Sequence, residues 1–445
     1  MEHFLAKATK DFHVQCEEFQ KKTEVHRLKL QEYLDEQVDS LKQSVKESHD
    51  EAFAKIWTDF QQTFPQYAEC AEFLNNAIDQ VHAALDYREP KHPLLVNILL
   101  MQKFFQKGDD KTLQEIDIVD PKKSQFWDGV RRFMVYCRLS YPASSKKRLK
   151  AAGDSHEIVL QHLVDEIGIS KNEIITANLE SVPRERVSQE SLCPRYYVLK
   201  DKARREVVVV IRGTASVKDA TSDLLAKTSP FLNGIAHDGI ARGAQALFNN
   251  VKEDLKTLSE KQYKLVITGH SLGGGSAHLL QALIISNGIH KFYSNMETYA
   301  FAPPPTFFGD WPTDQSSKVY SFVNEDDVVP RISTRNMARY IYLLSEIDAA
   351  PWDPATRAKI LMGHQDVAKD ELPSLEKEPC PEKYVDFSWA PGECYHLRKD
   401  GIYVEKEETF TKKLELTADC LANHGISKYI QAFDETKERL TAKKS

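Results

Sequence analysis

Two patterns of apolar positions divide the chain. Up to about residue 107 the pattern is helical. Residues 1–64 hold neither Gly nor Pro and are rich in Glu, Lys, Gln and Leu, which reads as long helix. Leu34, Val38, Leu41 and Val45 recur at 4-3-4 spacing, and Leu5, Phe12 and Phe19 at sevens, with charged residues between. A coiled coil or partner-binding helix fits this stripe. So does a helical hairpin packed on its own domain, which the short, irregular repeat favours. Helix continues through 66–107, broken at Glu89-Pro90-Lys91-His92-Pro93, and the apolar stretch 94–105 predicts a buried helix.

From about residue 126 the pattern changes. Residues 126–141 read as an amphipathic helix. Strand-like runs then follow at 195–201, 206–213, 264–269, 296–302 and 318–324, with helical signal between them at 241–258 and 276–286. Continuous Val/Ile runs predict strands buried on both faces. Their alternation with helices predicts an α/β fold with a mostly parallel central sheet flanked by helices, preceded by an all-α region. The expected division is a helical module over 1–125 and an α/β domain over 126–445.

Length and charge narrow the function classes. A chain of 445 residues has room for two to three domains. Lys plus Arg number 59 and Asp plus Glu 66, so the net charge of −7 argues against nucleic acid as a partner. The seven cysteines stand singly, with no CxxC, which speaks against a disulfide framework or zinc site and for a reducing compartment. The opening MEHFLAKATKDF has no apolar secretory core. The most apolar windows, 94–101 and 207–211, fall well short of the ~20 residues a membrane span needs. The expected location is cytoplasmic, with any membrane contact peripheral.

The strongest chemical signal is KLVITGHSLGGGSAHLL. A strand runs into Gly269-His270-Ser271-Leu272-Gly273 and then a helix, the context that gives G-x-S-x-G its meaning. Such a turn lifts a serine Oγ above the sheet, and Gly269 and Gly273 let strand and helix approach. It also sets the Leu272 N–H at a helix N-terminus, where it can meet a developing oxyanion. A serine nucleophile needs a base and an orienting acid. Chain order puts the acid after the serine and the histidine after the acid. The acid candidate lies in Asn324-Glu325-Asp326-Asp327-Val328-Val329-Pro330-Arg331, and two late histidines, His396 and His424, compete as base.

Five blocks, 207–226, 236–248, 267–277, 299–307 and 322–333, together resemble the class 3 lipase family, and most of all its sn-1-specific diacylglycerol lipase branch. The resemblance covers roughly 130–435 and implies an α/β-hydrolase fold. The family pattern D-x-V-P selects Asp327. His424, followed by Tyr429, resembles the family's late catalytic histidine, whereas Pro391-Gly392…His396 resembles an earlier strand. One departure is Asn423, where the family carries an acid. The resemblance also implies Thr214, in Arg212-Gly213-Thr214, as the second oxyanion donor beside Leu272. Arg212 is expected either to act directly or to fix this loop through carboxylates.

A lid is implied over 219–235, with Leu224, Leu225, Phe231, Leu232 and Ile235 as its apolar residues. An insertion is implied near 342–383, either regulatory or a plain surface loop. The implied function is hydrolysis of a glycerolipid fatty-acyl ester, with diacylglycerol foremost, through an acyl-enzyme on Ser271. Phospholipase A1 or general esterase activity is the alternative, and a lipase-fold interaction protein is the non-enzymatic one. No cofactor is needed, and no HExxH or similar metal spacing occurs. The expected partners are the glycerolipid and a membrane or lipid-droplet surface, with self-association or a protein partner through the N-terminal helices.

Overall fold

The run Glu206–Ile211 is buried at every position, which requires a strand covered on both faces. The computed structural model describes residues 73–74, 94–105, 113–141, 156–179, 193–214, 228–361, 385–417 and 419–444. The heptad-like stripe of residues 1–72, the lid positions before 228 and the stretch 362–384 lie outside them.

The described elements, in chain order, are α1 (Leu94–Phe105), α2 (Ser124–Leu139), α3 (His156–Ile167), β1 (Ile174–Asn178), β2 (Tyr196–Asp201), β3 (Glu206–Ile211), β4 (Thr228–Phe231), β5 (Gly234–His237), α4 (Asp238–Leu258), β6 (Lys264–His270), α5 (Leu272–Ser286), β7 (Met296–Phe301), β8 (Phe307–Gly309), β9 (Ser317–Asn324), α6 (Thr334–Ala349), α7 (Pro354–Leu361), β10 (Glu393–Arg398), β11 (Gly401–Glu405) and α8 (Ile426–Lys444). The chain divides into two compact units. The larger comprises 70–87, 109–342 and 378–445, and the smaller 1–69, 88–108 and 343–377.

In the larger unit an eight-stranded sheet runs β1-β2-β3-β6-β7-β9-β10-β11. The five strands from β3 to β10 are parallel, and the pairs at either edge are antiparallel. The mostly parallel sheet read from the sequence is therefore the observed architecture. Alternation along each strand sends Tyr197, Val208, Val210, Val266, Tyr299, Phe301 and Phe322 to one face. There they meet Trp127, Phe133 and Cys137 of α2 and Tyr429 and Phe433 of α8 in one core. Burying each such side chain contributes roughly 1.5–3 kcal/mol. α8 is tied to α2 by a forked ion pair, Arg131 Nε and Nη2 to Asp434 Oδ1 and Oδ2 at 2.6 and 2.8 Å. On the other face lies α5, packed beside α4.

Sequence pattern found the parallel strands and missed the short antiparallel ones. β4, β5 and β8 form a separate three-stranded sheet, so the described half of the segment read as a lid is a hairpin. Three- and four-residue strands are too short to display a period.

In the smaller unit α1 buries Ile98, Leu99 and Leu100, as its apolar run implied. The described part of 342–383 is helical and buries Ile347, Trp352 and Ile360, rather than forming a polar surface loop. Arg357 holds it together. Its Nη2 donates to the Ile347 and Asp348 carbonyls at 3.1 Å each, and its Nη1 to Asn97 Oδ1 at 3.3 Å. Among the described residues no helix is long and apolar enough to cross a membrane.

Candidate active site

Parallel strands bring their carboxyl ends to one edge, where an open α/β sheet presents its crevice. The segments after β3, β6 and β9 therefore meet at one place. After β6 the chain turns so sharply that Ser271 adopts φ 63° and ψ −133°. A non-glycine residue there carries roughly 1–3 kcal/mol of strain, held by surrounding structure. The turn is possible because its neighbours lack side chains. A Cβ on Gly269 would collide with the Gly273 carbonyl. One on Gly273 would lie 2.9 Å from the Gly213 nitrogen. The Gly274 and Gly275 N–H groups return to the Ser271 carbonyl at 2.8 and 3.2 Å, so α5 begins at once.

Ser271 Oγ lies 2.9 Å from His424 Nε2. His424 Nδ1 lies 3.0 and 3.1 Å from Asp327 Oδ1 and Oδ2. All three residues are buried. The carboxylate is held from two further sides: Tyr429 Oη donates to Oδ2 at 2.6 Å, and the Val329 N–H to Oδ1 at 3.0 Å. The structure thus brings Ser271, His424 and Asp327 into one hydrogen-bonded row, with the histidine between hydroxyl and carboxylate. Tyr429 was noticed in the sequence as an aromatic near His424. Its bond to Asp327 bears no local signal, because the two are 102 positions apart.

Asp326 turns away, as adjacent side chains must. It accepts from Asn423 Nδ2 at 2.5 Å, while Asn324 Nδ2 donates to the Asn423 carbonyl at 3.0 Å. Asn423 therefore joins the Asp327 turn to the His424 turn. A carboxylate at 423 would face Asp326 with like charge, which gives the departure from the family pattern a local reason. Burial raises the Asp326 carboxyl above its usual range.

His396 is remote from Ser271 in its bonding. Its Nδ1 lies 2.6 Å from Glu405 Oε1, and its Nε2 donates to the Glu325 carbonyl at 2.8 Å. It braces the left-handed Glu325 (φ 48°) in the turn that leads to Asp327.

Leu272 opens α5 immediately after the serine. Thr214 follows Gly213, whose added Cβ would stand 2.9 Å from Ser271 Cβ, so this loop runs against Ser271. Arg212 has no carboxylate partner among the described residues. Its Nε donates to the Gly213 carbonyl at 3.3 Å, and its guanidinium lies 5.8 Å from the Tyr141 ring centroid. Burial pulls its pKa down. Among the described residues no group of three or more His, Cys, Asp or Glu is placed to hold a metal ion.

The outer face of the three-stranded sheet is apolar. Pro230, Ile235 and Phe308 are cross-strand neighbours. Phe308 is 50% exposed, and Leu232, at the hairpin tip, 41%. β8 follows the end of β7, so this sheet stands at the same edge as Ser271.

Residues 208–337 match the family model described as Lipase (class 3). Over 154 residues the chain is 34% identical to diacylglycerol lipase-beta of Mus musculus, a match that takes in 32% of this chain and 22% of that protein. It is 29% identical over 144 residues to secreted mono- and diacylglycerol lipase 1 of Fusarium solani, covering 31% of this chain and 42% of the relative. The matches thus span less than half the length of either relative. A propeptide complex of Rhizomucor miehei lipase aligns with 73% of this chain and 80% of its own, at 16% identity and a TM-score of 0.39. The resemblance drawn from the five sequence blocks is found again in the family and sequence matches.

Proposed function

We propose that this protein is a serine carboxylic ester hydrolase that cleaves a fatty-acyl ester of a glycerolipid, with diacylglycerol as the foremost substrate. The observation that carries the reading is the buried row Ser271–His424–Asp327, at 2.9 Å on one side of the imidazole and 3.0 Å on the other. The strained turn beneath Ser271 and the similarity to proteins named diacylglycerol lipases support it.

The chemistry follows from the proton positions. Ser271 Oγ attacks the ester carbonyl carbon while its proton passes to His424 Nε2. The imidazolium is held by Asp327 through Nδ1–H. The negative charge moves to the carbonyl oxygen, where the Leu272 and Thr214 N–H groups receive it. Each such donor is worth about 2.7–4 kcal/mol in the transition state. Collapse breaks the bond to the glycerol oxygen, which takes the proton from His424, and leaves an acyl group on Ser271. Water then attacks that ester, giving a proton to His424. His424 returns it to Ser271 as the fatty acid departs. Tyr429 and Val329 hold the Asp327 carboxylate aimed at His424.

The apolar row Pro230, Ile235 and Phe308, with Leu232, supports docking of this edge on a membrane or lipid-droplet surface. No cofactor enters any step.

The test is covalent labelling with a fluorophosphonate, wild type against Ser271→Ala, followed by a panel of diacylglycerol, triacylglycerol and phospholipid. Labelling of wild type alone, with fatty acid released fastest from diacylglycerol, is expected. Faster release from phospholipid makes the protein a phospholipase A1. Folded wild type that stays unlabelled in detergent makes it a lipase-fold interaction protein.

A further inference from the structure

His270, the variable position of the G-x-S-x-G turn, is spent by neither the strain nor the proton transfer just described. It is buried, as is the ring beside it: its centroid lies 4.7 Å from that of His424. Its Nε2 is 2.7 Å from the His424 backbone carbonyl, and its Nδ1 is 2.9 Å from Tyr141 Oη. Tyr141, just past the end of α2, accepts the Gly213 N–H at 3.2 Å.

The proton directions follow from the donors and acceptors along the row, the shorter contact of Tyr141 Oη being to His270 Nδ1 and the longer, at 3.4 Å, to the His270 carbonyl. A carbonyl oxygen only accepts, so His270 carries its proton on Nε2 and donates it to His424. Nδ1 is then bare and must accept, so Tyr141 donates its hydroxyl proton there. The Tyr141 oxygen, having given its proton, accepts from Gly213. Burial holds the His270 pKa down to about 3, so the ring keeps a single proton at neutral pH. Burial likewise raises Tyr141, which remains a donor.

The row starts one residue before the proposed oxyanion donor Thr214 and ends on the backbone of the proposed base. We propose that Tyr141 and His270 are positioning residues that lock the oxyanion loop to the His424 turn through the chain Gly213 N–H, Tyr141 O–H, His270 Nε2–H, His424 C=O. This rests on the hydrolase reading of Ser271. The loop follows β3 and the base stands just before α8, so the two reach the serine from distant parts of the chain. Without a link, each could shift separately. A misplacement near 1 Å costs on the order of 10²-fold in rate.

The experiment uses the full chain and four proteins: wild type, Tyr141→Phe, His270→Gln and the double variant. Each is assayed on a soluble p-nitrophenyl ester and on the matching thionoester, whose sulfur is a poor acceptor for oxyanion donors. Fluorophosphonate labelling rates and melting temperatures are measured alongside. Tyr141→Phe should lower kcat by roughly 10–100-fold with KM within about twofold. Its ester-to-thionoester rate ratio should fall, a change that lowered stability alone does not produce. The double variant should be no more than about threefold worse than the poorer single, because breaking either link breaks the chain. Multiplying losses, an unchanged thionoester ratio, or wild-type kcat in Tyr141→Phe would overturn the proposal.

Nitrogen-15 spectra of wild-type histidines need no variant to fold. His270 should show Nε2 protonated and Nδ1 bare from about pH 5 to 8. The opposite tautomer would refute the chain. If wild type is not labelled by fluorophosphonate, the hydrolase reading has failed. If it is labelled and both variants are labelled at the same rate, the positioning chain has failed.

Discussion

Strands β3, β6 and β7 begin and end in opposite kinds of polar environment. At their starts charge is paired with charge. Glu206 meets Arg132 Nη2 at 2.7 Å and Lys264 Nζ at 3.3 Å, and Lys264 meets Glu297 at 3.0 Å. At their ends lie Ser271, Gly213 and His270, where polar groups are joined by single protons of fixed direction and the backbone is strained. The same strands and the same core support both edges. The difference is that an ion-pair network is satisfied by several geometries, whereas a row of single donors and acceptors is satisfied by one. The first arrangement secures the fold, and the second holds atoms to a position.

If that contrast is right, substitutions at the two edges should separate activity from stability. The largest effect should come from His424→Ala, which removes the proton acceptor: hydrolysis should fall by on the order of 10⁶-fold, with little change in melting temperature. His396→Ala should show the reverse, with loss of stability from an unbraced Glu325 turn and activity kept within about tenfold. Turnover abolished by His396→Ala and kept by His424→Ala would exchange their roles.

Next in size, Asp327→Asn should cost about 10⁴-fold in kcat, because an amide can present its N–H to Nδ1 and favour the wrong tautomer. A loss below tenfold would mean that Tyr429 and Val329 orient something other than an acid.

Acidification probes the buried rings. Burial lowers both His270 and His278 to about pKa 3, from 6.5 in the unfolded chain. Between those values the unfolded chain binds protons that the fold does not. The stability these rings leave intact above pH 6.5 is therefore lost as pH falls. Each ring contributes a slope approaching ~1.4 kcal/mol per pH unit. Urea unfolding at pH 7, 6 and 5 measures it, and a flat profile would mean that the rings take up protons within the fold.

The smallest effect tests the opposite edge. Glu206→Gln should cost about 1–3 kcal/mol of stability and leave kcat within about threefold. A large loss of turnover there would erase the distinction between the edges.

How far the sequence could be read follows from the same geometry. The elbow was legible because its requirements are local: glycines at 269 and 273, a strand before, a helix after. Asp327 and His424 needed the family pattern, since nothing in their own neighbourhoods selects them over Asp326 and His396. Structure separates each pair by what lies across space, namely Tyr429 on α8, Asn423 on the turn before it and Glu405 on β11. Tyr141 carried no signal at all. It closed an amphipathic helix and had the look of one more apolar-face residue. Of the fold, the fully buried parallel strands announced themselves. The three-stranded sheet at the rim was hidden by strands of three and four residues.

The separation of 153 positions between Ser271 and His424 has a consequence for the newborn chain. At about 5–20 residues per second, the ribosome delivers the serine on the order of ten seconds before its proton acceptor. Throughout that interval the elbow can fold on β6 and α5 while the hydroxyl stands without its proposed base. The proposed base reaches the serine only with α8, whose docking on α2 through Arg131 and Asp434 sets the His424 turn in place.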